Sequence, residues 1–166
     1  FQRASLTQVT LPHSVTNIAD GGWMTDMVGG HYSGAFYNCW NLTNVTLGSN
    51  LTRIGSLAFH GCSHLTNITL PASVAAIHGG SRYDRDLETV FYFGAFTACQ
   101  NLKGVYCQGN APFGDGPVFD GDNQATVYYL PGASGWTATF AGRPTAVWQP
   151  QVQTGDNQFG VRTNQF

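Results

Sequence analysis

The sequence predicts a β-rich repeat protein, a stack of about four similar coils of short parallel strands. Three observations lead there. A six-residue phrase recurs along the first two thirds of the chain. A fixed series of apolar landmarks follows each of the first three copies, ending in Ala-Phe-x-x-Cys. The composition also disfavours helix, with 21 glycines in 166 residues and abundant Thr.

The phrase is clearest in Leu42-Thr43-Asn44-Val45-Thr46-Leu47 and Leu65-Thr66-Asn67-Ile68-Thr69-Leu70, which differ at one apolar position and lie 23 residues apart. Leu6-Thr7-Gln8-Val9-Thr10-Leu11 is a third copy and Leu102-Lys103-Gly104-Val105-Tyr106-Cys107 a decayed fourth. The last two apolar residues of each phrase sit two apart, the period of a strand with one buried face. The Thr and Asn between them point outward, and β-branched Thr suits extended chain. A second apolar step follows in three copies, Val15 to Ile18, Leu51 to Ile54 and Val74 to Ile77. Then come Ala35-Phe36 with Cys39, Ala58-Phe59 with Cys62 and Ala95-Phe96 with Cys99, the only stretch with room for a helical turn. One coil cannot bury its own apolar set. Neighbours stacked roughly 4.8 Å apart bury a continuous core between them.

These phrases, with Ile-Gly-x-x-Ala-Phe and Cys-x-x-Leu, resemble the BspA-like (Treponema-type) bacterial leucine-rich repeats of 23 residues. The likeness covers about residues 1–107. It implies a leucine-rich-repeat solenoid of about four coils with short parallel strands, two loop insertions and a C-terminal β cap. It also implies a bacterial surface or secreted protein engaged in adhesion and recognition. The segment 108–148 looks like a closing piece of such arrays, with Val127 and Tyr129 alternating as a final strand. The solenoid with its cap then spans 1–148. Residues 149–166 form a polar tail, in which Phe159-Gly160-Val161-Arg162 reads as the start of a truncated further β module.

Composition narrows the partners. Charged residues are 10% of the chain, against about 25% in ordinary soluble domains. With seven scattered Lys and Arg and a net charge of −2, nothing neutralises a phosphate backbone, so nucleic acid is excluded. No apolar run approaches the roughly 18 residues of a membrane span. The start at Phe1 rather than Met points to a processed form or a fragment. Low charge with abundant Asn and Gln suits an extracellular protein.

Departures from the period mark the candidate site. Cys62 to Cys99 is 37 residues rather than 23, and Leu6 to Leu42 is 36. Insertions of about 14 and 13 residues therefore interrupt the third and first coils at the same slot, between the Ile and the Ala-Phe. One slot means one side of the stack, so residues 19–34 and 78–94 should emerge as neighbours across the second coil. The second insertion carries Arg82, Asp84, Arg85, Asp86 and Glu88, five of the sixteen charged residues, with Tyr83, Phe91 and Tyr92. The first offers Trp23, Met24, Met27, His31 and Tyr32 among glycines. Arg and aromatic side chains on scaffolded loops are the usual anchors of binding surfaces. The candidate contact residues are Trp23, Tyr32, Arg82, Tyr83, Asp84, Arg85, Glu88, Phe91 and Tyr92. The alternative is that the insertions fold onto each other as a satellite core.

No constellation supports catalysis, a metal or a cofactor. His60, Cys62 and His64 have metal-like spacing, but the His positions vary between repeats and Cys62 is a repeated core landmark. Cys39, Cys62 and Cys99 read as buried free thiols, since in-register side chains point in parallel rather than toward one another. Asp115, Asp120 and Asp122 lack the closing Glu of a calcium loop and sit in Gly-Asp turn sequences. Asn-x-Ser/Thr sequons at Asn41, Asn44, Asn50 and Asn67 mostly follow from the repeat text. The functional expectation is a recognition module for a protein or glycan. Its rival is a subunit stacking end to end on copies of itself into a fibre. Cutting Phe59, the central Phe of the landmark row, to Ala should cost about 3–5 kcal/mol in urea unfolding.

Overall fold

The computed structural model describes residues 1–26, 29–84, 88–149, 151–152 and 161–162. These form short strands joined by turns, with no helix among them. The first repeat supplies β1 (Gln8–Thr10) and β2 (Asn17–Ile18), and its insertion β3 (Gly22–Asp26) and β4 (Gly29–Ser33). The second repeat gives β5 (Asn44–Thr46) and β6 (Arg53–Ile54). The third gives β7 (Asn67–Leu70) and β8 (Ala76–His78), with β9 (Ser81–Asp84) and β10 (Thr89–Tyr92) in its insertion. Then come β11 (Gly104–Cys107), β12 (Phe113–Asp115), β13 (Thr126–Tyr129), β14 (Thr139–Phe140) and β15 (Arg143–Val147). A last pair, β16 (Gln151–Val152) and β17 (Val161–Arg162), lies in the tail and is antiparallel.

Pairing follows the repeat. On one side β2, β6, β8 and β12 form a continuous parallel ladder that aligns Ile18, Ile54, Ile77 and Gly114. On the other, the Leu-x-x-Val-x-Leu strands pair in parallel with Val9 opposite Val45, and Ile68 opposite Val105 opposite Val127. This second ladder is not continuous. β5 and β7 lie side by side, yet β1–β5 and β7–β11–β13–β15–β14 are separate sheets. The joint between the second and third repeats is made upstream instead. There the backbone N–H of His64 and its ring Nδ1 both donate to the Trp40 carbonyl, at 3.2 and 2.6 Å.

The core is the set of landmarks. Leu42, Leu65, Leu102, Val45, Ile68, Leu70, Val105 and Val127 are buried, while the Thr and Asn between them are exposed. Leu47 is only half-buried, against expectation, as are Leu6, Val9 and Leu11. These belong to the repeats at the β1 end, where β1 has a strand on one side only.

The Ala-Phe-x-x-Cys steps are turns, and they build two rows. Phe1, Phe36, Phe59, Phe96 and Phe119 stack face to face, with centroids 5.7, 5.1, 5.4 and 5.5 Å apart and planes within 13°. Each such contact adds about 0.5–1.5 kcal/mol beyond area burial. Three residues on stand Ala4, Cys39, Cys62, Cys99 and Asp122. Each thiol donates to the Phe carbonyl one repeat back, Cys39 to Phe1, Cys62 to Phe36 and Cys99 to Phe59, at 3.1, 3.3 and 3.1 Å. All four cysteines are free and buried, and burial pushes Cys62 and Cys107 up to about 12 and Cys99 well above its ordinary value. Cys39, Cys62 and Cys99 are thus buried free thiols, as the sequence suggested, and their burial disfavours the thiolate.

The residue two after each Phe has positive φ in every row: Arg3 at 55°, Asn38 at 56°, Gly61 at 70°, Ala98 at 62° and Gly121 at 82°. Only two of the five are glycine, so the others bear the left-handed penalty. Asp122 breaks the second row differently. It is fully buried, and neither carboxylate oxygen has a hydrogen-bond partner among the described residues. Burial pushes its carboxyl up to about 7, with Asp120 adding to the shift and the Cys99 amide and Arg143 opposing it. Arg143 spends its Nη1 on the Asp122 backbone carbonyl, 3.2 Å away. A protonated carboxyl is a donor, as the thiols above it are.

Two outcomes are expected. A carboxyl raised from 3.8 toward 7 in the fold destabilises progressively as pH rises between those values, and fully above them. A shift of that size corresponds to about 4 kcal/mol. Asp122→Asn should therefore raise the melting temperature at pH 8 and give no benefit at pH 4, read by thermal denaturation across pH. Ala98→Gly should add about 1 kcal/mol in urea unfolding by relieving a left-handed non-glycine residue, and Gly121→Ala should lose a similar amount.

Candidate functional site

The two insertions fold as antiparallel hairpins and meet over the second repeat. In the first, β3 pairs with β4 and sets Trp23 opposite Tyr32. In the second, β9 pairs with β10, with Phe91 opposite Arg82 and Tyr92 opposite Ser81. Their roots are tied to Ser56-Leu57 of the second repeat: Gly21 N–H donates to the Ser56 carbonyl at 2.7 Å, and Leu57 N–H to the Phe93 carbonyl at 3.1 Å. Asp20 fixes the first root by accepting from Ser56 N–H at 2.9 Å and pairing with Arg53. Burial acts to raise the Asp20 carboxyl, but Arg53 and the Ser56 amide outweigh it and hold it low. Asp115 does the same for the second root, accepting from Gly79 N–H at 2.8 Å and from His78 at 3.2 Å.

Aromatic rings join the hairpins. Trp23 meets Tyr32 edge-on at 4.9 Å, and Tyr32 meets Phe93 at 4.9 Å. Trp23 lies so close over Gly30 that a Cβ there would fall 1.9 Å from its ring, so the hairpin needs glycine at that point. Between the hairpins is an apolar cleft of about 230 Å³, lined by Gly21, Gly22, Trp23, Tyr32, Ser56, Leu57, Gly80, Ser81 and Phe93. Trp23, in its lining, remains half exposed at 51%, and Met24, next to it on β3 but not in the lining, is exposed at 54%.

Of the residues picked from the sequence, Trp23 and Tyr32 line the cleft. Glu88, Phe91 and Tyr92 lie on the second hairpin away from it, with Phe91 half-buried and Tyr92 exposed. Arg82, Tyr83 and Asp84 contribute the backbone of β9, but their side chains, like the whole of Arg85, Asp86 and Met27, lie outside the described residues. Sequence reasoning missed Leu57 and Phe93, the cleft's floor and far wall. Leu57 directly precedes the Ala58 landmark and Phe93 stands two residues before Ala95, and only the unusual φ of 59° at Leu57 distinguishes it in the structure.

The residues weighed for metals are engaged elsewhere. Cys62 bonds Phe36, His64 bonds Trp40, and His60 stacks on Tyr37 at 4.9 Å with burial lowering its affinity for protons. Asp115 is tied to β8 and Asp122 is in the core. Among the described residues no three His, Cys, Asp or Glu side chains gather as a metal site, and no helix is long and apolar enough to cross a membrane.

The BspA type leucine rich repeat region matches residues 31–116 in six copies. The chain belongs to that family. BspA-type repeats are generally non-catalytic modules for protein interaction or adhesion, typically found in bacterial surface or secreted proteins. No curated protein and no solved structure matches the chain. The family match runs from His31 in the first hairpin through the whole of the second.

Proposed function

We propose that the chain is a non-catalytic recognition module of a secreted or cell-surface bacterial protein, which grips a protein partner through its paired hairpins. In this reading residues 1–148 are a solenoid of about four coils. Segment 108–148 is its closing cap, and 149–166 is a polar tail. The observation that carries the proposal is the apolar cleft between two hairpins rooted on one repeat, with Trp23 in its lining half exposed. Scattered exposed apolar side chains need no explanation, but aromatic ones gathered around a cleft are what binding anchors look like. Insertions rooted by hydrogen bonds on one repeat also match the division of labour between scaffold and loop. In this reading Arg82, Tyr83, Asp84, Arg85, Glu88, Phe91 and Tyr92 of the second insertion are further contact candidates for the same partner.

The test is surface plasmon resonance of the full chain against a panel of purified extracellular-matrix and serum proteins. Trp23→Ala is expected to weaken the bound partner at least about tenfold, a loss of about 1.4 kcal/mol, with the urea midpoint unchanged. Loss of binding through Thr46→Arg on the strand face, with Trp23→Ala binding normally, would sink the hairpin reading. Rods that lengthen with concentration in negative stain would favour the fibre instead.

A further inference from the structure

The unpaired seam between β5 and β7 opens a groove on the strand face, about 330 Å³ in volume and separate from the hairpin cleft. Its floor is Val45 and Ile68, its rims are Thr43, Asn44, Thr66, Asn67 and Thr69, and one end is closed by Tyr106 and Trp148. The two aromatic rings are 5.1 Å apart and inclined at 56°, and Tyr106 is backed by Tyr128, stacked at 5.0 Å. Gly104 shapes this end. A Cβ there would come within 2.6 Å of Asn67 Oδ1 and 2.8 Å of the Tyr106 ring, so the missing side chain lets amide and ring close over the strand.

We propose that this groove is a binding site for a neutral saccharide. Three features select that ligand class. None of the lining residues carries a charge, which removes the attraction that an anionic or cationic ligand needs once it gives up water. The exposed Asn amides and Thr hydroxyls are mixed donors and acceptors, the complement of sugar hydroxyls. The half-buried Tyr106 and Trp148 offer flat apolar surface, which suits the C–H face of a pyranose ring. The facing edges of β5 and β7, free of ladder bonds, add backbone donors and acceptors along the groove. The volume is at the small end of ligand sites and fits one or two sugar rings rather than a long chain.

The experiment titrates the full chain with neutral gluco-, galacto- and manno-configured di- and trisaccharides, and with a sialylated trisaccharide as the charged control. Binding is followed by calorimetry and by tryptophan fluorescence. At least one neutral sugar should bind with a Kd of about 1 mM or below and change the fluorescence. Tyr106→Ala and Asn67→Ala should each weaken it about tenfold or more. Gly104→Ala, which removes no contacting group, should weaken it as well. Trp23→Ala should leave it unchanged, so failure here and failure of the hairpin reading are told apart. The urea midpoints of the variants, measured alongside, show that the fold survives. No neutral sugar bound at about 10 mM, equal binding of the sialylated control, or binding that survives Tyr106→Ala and Asn67→Ala would each overturn the proposal.

Discussion

Everything in this structure hangs on a contact between successive repeats in which a cysteine thiol reaches back to the carbonyl of the preceding phenylalanine. The bond is weak in itself, since sulfur is a poor donor. Its value is positional. It occurs at the turns, where each Phe carbonyl already accepts the backbone N–H of the residue three on, so the thiol adds a second bond, from the next repeat, to the same oxygen. Beside these bonds the phenylalanines lie flat on one another, and five rings form one column. The column sets the spacing that the strands then follow on both sides. A small, apolar side chain with one weak donor meets these demands better than Ser, whose stronger polarity would cost more to bury, or Ala, which has no donor.

Most of this architecture was legible in the sequence because the period is written in side chains that must be buried. Leu42, Leu65 and Leu102, or Phe36, Phe59 and Phe96, announce their alignment by identity alone. The fifth phenylalanine was not recognised as a landmark, because Val118-Phe119 and Asp122 replace Ala-Phe and Cys, and an Asp reads as surface. The left-handed turn residue was also hidden, since Arg3, Asn38 and Ala98 occupy a conformation that only Gly61 and Gly121 advertise. The same limit applied at the candidate site. Insertion length and slot placed the two hairpins side by side, and aromatic content flagged Trp23 and Tyr32. Leu57 and Phe93 looked like ordinary neighbours of core positions, and their place in the cleft depends on how the hairpin roots bond to the second repeat.

The low charge of the chain acquires a use in this light. A surface of Thr, Asn, Ser and Gly is weakly solvated compared with one of Lys and Glu, and it can exchange water for a partner's polar groups without separating ions. The few charges present serve the framework in part. Asp20, paired with Arg53, and Asp115, hydrogen-bonded to His78 and the Gly79 amide, hold the roots of the two hairpins. The contrast between carboxylates bonded at the roots and aromatic side chains at the cleft divides anchoring from contact along each insertion.

The missing pairing between β5 and β7 has a mechanical meaning as well. The stack is laced continuously along the Ile side, through β2, β6, β8 and β12, and interrupted on the opposite side at one level only. At that level the repeats are held by other bonds: the His64 N–H and ring to the Trp40 carbonyl, and the turn amides of Phe36 and Asn38 to the Ala58 and His60 carbonyls. Shear between the second and third repeats is thus borne there by turns and core packing rather than by strand hydrogen bonds.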